Sequence, residues 1–126
     1  MKLRSVFVAA SSLVYFMIGF TAQSINSALP AIAVELEMSH DMTGLVLGLP
    51  SFVYQIAVLI AAFISRKFGP FLTAATGISC ITLSVVFMAI SRSYSTFLTG
   101  RLLFGFGLGI TEISIALCVS YLAFKK

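Results

Sequence analysis

Long uncharged runs, separated by small clusters of charge, set the pattern of the chain. Arg4 and Glu35 bracket thirty residues without a formal charge, Asp41 and Arg66 bracket twenty-four, and Lys67 and Arg92 another twenty-four. Each run exceeds the ~20 residues that cross a bilayer as a helix. A fourth apolar stretch is interrupted by Arg101 and Glu112. The pattern predicts four spans, at about 5–29, 42–64, 70–90 and 95–124, forming a single transmembrane unit over 1–126. Continuous apolar runs lack the alternation of a barrel strand, and a hydrocarbon surrounding obliges each span to satisfy its own backbone N–H and C=O groups. The expected fold class is an all-α membrane protein with four transmembrane helices.

Polar positions inside the runs fall at helical spacing. In the first span Ser12, Tyr15, Gly19, Gln23 and Asn26 are three or four residues apart and define one face. In the second, Gly44, Gly48, Ser51 and Gln55 line a face, with Gly44 and Gly48 forming a G-x-x-x-G pair and Pro50 placed to kink the helix. The third gathers Thr73, Thr76, Gly77, Cys80 and Ser84. Small residues let helices approach closely in lipid, so packing is the expected role of the second and third stripes.

The fourth span differs because it carries ionisable groups. Arg101 and Glu112 are eleven residues apart, so they lie about 20° apart around the axis and roughly 16 Å apart along it. That is too far for a direct salt bridge, and each needs its own partner or water. Gly105 and Gly109 lie between them on the same side. A charge at a helix centre costs ~2.5–3.5 kcal/mol on insertion scales and faces a bundle interior or an aqueous cavity. The Arg101 and Glu112 face is therefore expected to look inward, toward the polar face of the first span.

Composition agrees: 60% of the 126 residues are hydrophobic, 10% are charged, and mean hydropathy is +1.09, against about 25% charged in ordinary soluble domains. The basic start with Lys2 and Arg4 could imitate a secretory signal, but its apolar run outlasts a signal core, which favours an uncleaved first span. The lysines and arginines set orientation. Lys2, Arg4, Arg66, Lys67, Lys125 and Lys126 fall on one side of a four-span chain, and Glu35, Glu37, His40, Asp41 and Arg92 on the other. Both termini are accordingly expected in the cytoplasm. The net charge of +4 is explained by this topology and requires no nucleic-acid partner. Cys80 and Cys118 lack metal-ligand spacing and are expected to pack, and no cofactor or metal is expected. His40 falls in a solvated loop. No pattern of an intramembrane enzyme is present, so the chain is not expected to be one.

Three segments sharpen the picture. The stretch "GRLLFGFGLG" resembles the fourth-helix motif of the major facilitator superfamily, an arginine followed at i+4 by a glycine in a glycine-rich helix, with Arg101, Gly105 and Gly109 in the matching places. The stretch "AAFISRKFGPF" is similar to that family's loop motif after the second helix. Aligned on Gly69, it keeps a basic Lys67 and the glycine but has Arg66 where the family has an aspartate. The stretch "NSALPAI", Asn26 to Ile32, resembles a segment of the drug:proton antiporter branch, with Thr21 where that branch commonly has an aspartate.

The resemblance implies the first part of an N-terminal six-helix half of such a transporter, in a bacterial inner membrane. It implies proton-coupled efflux of a small organic solute, with Arg101 and Glu112 as the coupling or substrate pair and Tyr15, Gln23 and Asn26 as a hydrogen-bonding wall. The partners it implies are membrane lipids, protons and the solute. Because the family has twelve or fourteen helices, the expectation is a truncated member, inactive alone, that would need further C-terminal helices. Self-association as a small four-helix transporter and a non-transporting membrane subunit are the alternatives.

Overall fold

The computed structural model describes the backbone of residues 2–124 and the side chains of residues 4–122. Lys125 and Lys126, and the side chain of Lys2, lie outside the described residues. Within that range the chain forms four helices and no strand: α1 Lys2–Glu35, α2 His40–Phe68, α3 Pro70–Ala89 and α4 Tyr94–Phe124. All four are long and apolar enough to cross a membrane.

α1 and α2 extend beyond the expected spans, to Lys2–Glu35 and His40–Phe68. α1 does not stop near residue 29 but runs through Pro30 to Glu35, so the first connection shrinks to residues 36–39. Pro30 removes one N–H without stopping the helix, as membrane helices tolerate. α2 then starts on Ser39, whose side chain accepts from the Met42 N–H at 3.2 Å, with Asp41 in the first turn complementing the helix dipole. α2 also continues through Pro50. The α2–α3 connection is Gly69 alone, at φ 86°, a conformation in which glycine is favoured. Its N–H returns to the Ser65 carbonyl at 3.0 Å, and Pro70 opens α3 where no N–H is needed.

α4 is the central element. Half of its most apolar window is buried, against 6% of that of α1. Glycines at alternate positions explain how it serves two neighbours. A step of two residues is about 200° around a helix, so Gly105 and Gly109 face one side and Gly107 the other. A Cβ on Gly105 would run into the Pro50 carbonyl oxygen, and one on Gly109 would come within 2.6 Å of the Tyr54 carbonyl oxygen, so both glycines admit the backbone of α2. A Cβ on Gly107 would come within 2.9 Å of the Gly77 carbonyl oxygen and the Ile81 nitrogen, so Gly107 admits α3. Gly77 reciprocates, its own Cβ position being taken by Thr111.

The buried hydroxyls on these seams bond to their own helices, Thr73 to Gly69 O at 2.8 Å, Ser84 to Ile81 O at 2.6 Å and Thr111 to Gly107 O at 2.7 Å. These three hydroxyls are thus satisfied without water. Gly44 and Gly48 differ from expectation. No described atom lies within 4 Å of a Cβ on either, and both are exposed, so the G-x-x-x-G pair packs against nothing within the chain. Its face is turned away because α2 meets α4 through Val46, Pro50 and Ala57 instead, all of them buried. Cys118 is buried, Cys80 is partly so, and both are free thiols.

Candidate functional site

α2 and α4 run in the same direction at a constant register. Val46 lies beside Arg101, Pro50 beside Gly105 and Tyr54 beside Gly109, each pair 55 residues apart in the chain. α1 crosses α4 in the opposite sense, touching it at Asn26 beside Arg101 and at Tyr15 beside Glu112. The close approach to α2 and the looser one to α1 leave a cleft of about 430 Å³ along the ionisable face of α4. Arg101 and Glu112 both line it, with Asn26 from α1 and Ser51, Tyr54 and Gln55 from α2.

The two ionisable groups have separate partners. Arg101 is 6% exposed, and its guanidinium donates from Nη2 to Asn26 Oδ1 at 3.2 Å and from Nε to the Val46 carbonyl at 3.4 Å. Glu112 is partly buried, and its Oε2 accepts from the Tyr54 hydroxyl at 2.7 Å. A bond of that length to a carboxylate oxygen is in the charge-assisted range. The Tyr15 hydroxyl donates to the Glu112 main-chain carbonyl at 2.8 Å, so α1 and α2 both converge on this residue.

The sequence stripe on α1 is therefore divided. Tyr15 and Asn26 reach α4, but Gln23 is exposed and does not line the cleft. It stands about 80° around the axis from Tyr15 and about 60° from Asn26, enough to turn it off the seam. Ser12 bonds back to the Val8 carbonyl at 3.0 Å and Gly19 has open space around it. Thr21 lies in a different groove, an apolar one between α1 and α3 lined by Phe20, Val85 and Met88, and its hydroxyl bonds to the Met17 carbonyl at 2.8 Å.

Two partners escaped the sequence reading. Tyr54 sits next to Gln55 on a stripe already identified, and its position one helical turn beyond Pro50 was the available signal. The Val46 carbonyl was invisible because no side-chain pattern reports a main-chain acceptor. The loop-motif residues lie far from the cleft. Arg66 and Lys67 are exposed in the last turn of α2, where cations suit the helix dipole, and the Lys67 ammonium stands 5.3 Å from the centre of the Phe68 ring. Among the described residues no group of His, Cys, Asp and Glu side chains is placed to hold a metal ion.

Four long apolar helices around a polar, charge-lined cleft define an integral, multi-pass membrane protein. The model of the Major Facilitator Superfamily matches residues 11–123, nearly the whole chain, and the chain belongs to that family. The family's members are transporters, so membership implies movement of a solute across the membrane. No curated protein and no solved structure matches the chain.

Proposed function

We propose that the chain serves, as part of a major facilitator transporter, proton-coupled efflux of a small organic solute, with the cleft along α4 contributing to the shared path of solute and proton. The observation that carries this reading is the pair of ionisable groups on one face of the central helix, both opening on the same cleft and each held by its own polar partner. Glu112 is the proton carrier in this scheme. Tyr54 orients its carboxylate through the 2.7 Å hydrogen bond, and solute binding next to it displaces that bond. Arg101 supplies a positive charge at the other end of the cleft, which repels a cation from going further. Asn26 and Tyr15 tie α1 to the moving parts. Both termini lie in the cytoplasm of a bacterial cell, the host bilayer being the inner membrane, in keeping with Arg4, Arg66 and Lys67 at one end and Glu35, Glu37 and Asp41 at the other.

The test is solute-stimulated proton release from the detergent-purified chain in weakly buffered solution, using a panel of lipophilic cations and neutral aromatics. Release by the native chain that disappears in Glu112→Gln, with helix content retained, is the expected result. Release unchanged in Glu112→Gln removes the carboxylate from the coupling step.

A further inference from the structure

We propose that Pro50 is a positioning residue for Arg101: by removing its own N–H from α2 it releases the Val46 carbonyl, which then fixes the guanidinium. In an α-helix the N–H of each residue bonds to the carbonyl four residues earlier. Proline has no N–H, so the carbonyl of Val46, four residues before Pro50, loses its helical donor. Inside a membrane span an orphaned carbonyl is costly. This one is taken by Arg101 Nε at 3.4 Å.

The packing of α2 on α4 explains why the released carbonyl and the arginine coincide. Gly105 lacks the Cβ that would strike the Pro50 carbonyl, so the two helices approach most closely at that level. One turn earlier on both parallel helices, the same register brings Val46 beside Arg101. Each group answers the other's need: a buried guanidinium requires acceptors and the freed carbonyl requires a donor. The second contact is made by a side chain and not by a freed carbonyl, though it too lies near a proline. Asn26, whose side chain takes Nη2 at 3.2 Å, lies four residues before Pro30, the one proline of α1. Both residues that hold Arg101 thus stand where a proline has opened the main-chain ladder. A kink alone would not require these coincidences.

The inference concerns how Arg101 is held, and rests on the proposed transport role only for its consequence in flux. It is therefore tested by spectroscopy. In the full chain labelled with ¹⁵N-arginine and held in detergent micelles, the Nε–H resonance of Arg101 is assigned by its loss in Arg101→Lys, and its exchange with solvent is measured. Pro50→Ala restores the N–H and lets α2 reclaim the Val46 carbonyl. We expect Arg101 Nε–H exchange to quicken at least tenfold, with helix content unchanged.

The matching control places an α-hydroxy acid, the ester analogue of alanine, at position 50. It has neither the proline ring nor an N–H, so the carbonyl stays free and exchange should remain as slow as in the native chain. Native-like exchange in Pro50→Ala overturns the proposal. So does rapid exchange in the ester variant, which would assign the effect to the ring and not to the released carbonyl; this arm decides even if Pro50→Ala fails to fold. Solute-stimulated proton release measured on the same samples separates the two ideas: protected Nε–H with no release refutes the transport role and leaves the positioning role standing.

Discussion

α4 meets its neighbours in two different ways. Toward α2 and α3 the contact is backbone against backbone, made through Gly105, Gly109 and Gly107, with Ser84 and Thr111 bonded to their own helices and Ser65 of α2 paired with Ser114 of α4 across the seam. Toward α1 the contact is two hydrogen bonds, Asn26 with Arg101 and Tyr15 with Glu112, and one apolar cluster in which Leu29 is buried against Val46 and Phe97, on a helix that is otherwise largely unburied. The difference teaches where motion and chemistry belong in this chain. Close glycine seams resist sliding, because any displacement drives main-chain atoms into one another. A seam held by a few polar contacts and one apolar cluster opens without such clashes, and the ionisable groups and the cleft border this seam.

The largest test of the contrast adds a methyl group on either side of it. Gly105→Ala places a Cβ against the Pro50 main chain, which cannot give way as a side-chain end would. It should cost about 1–3 kcal/mol, or more, in denaturant unfolding from micelles. Gly44→Ala and Gly48→Ala meet open space and should stay within about 0.5 kcal/mol of the native chain. Equal costs at the two places would dissolve the distinction between seams.

Next in size is the polar tether. Asn26→Leu leaves Nη2 of Arg101 without its side-chain acceptor, a loss of about 1.5–3 kcal/mol for a bond to a charged group. The effect should appear as a broadened distance distribution between spin labels at the exposed positions Val34 on α1 and Leu117 on α4, while α2 and α3 keep their spacing to α4. Tyr54→Phe acts on the chemistry more than on the fold. Removing its bond to the Glu112 carboxylate, of similar worth, should lower solute-stimulated proton release roughly 10- to 100-fold with little change in unfolding. Smallest is Tyr15→Phe. Its bond goes to a main-chain carbonyl from a side chain that is 38% exposed, and about 0.5–1.5 kcal/mol of unfolding free energy is the most it should remove.

The hydrophobic runs made four helices and their order plain, and the eleven-residue spacing of Arg101 and Glu112 was enough to put both on one face and to deny them each other. Which positions of the α1 stripe reach α4 was not legible, because a stripe of five residues is wider than the line of contact between two helices; Tyr15 and Asn26 lie on that line and Gln23 does not. The G-x-x-x-G pair on α2 misled for a related reason. Small residues permit a close approach without naming the partner, and the approach is made at Pro50 and Tyr54, where the opposing glycines are those of α4. The extension of α1 through Pro30 was hidden by a proline that membrane helices tolerate. Main-chain acceptors, Val46 above all, leave no side-chain trace.

The central claim is that the cleft along α4, opening between α1 and α2, is reached by water and solute while the seam toward α3 is dry. Cysteine reactivity tests it most directly, in a chain whose Cys80 and Cys118 have been replaced by alanine. A single cysteine is placed either at Ser51, which lines the cleft, or at Ser84, which is buried between α3 and α4. A charged, membrane-impermeant thiol reagent should modify Ser51→Cys quickly and be slowed by a transported cation, and should leave Ser84→Cys untouched. Similar rates at the two positions, or a Ser51→Cys rate that no solute alters, would contradict the account.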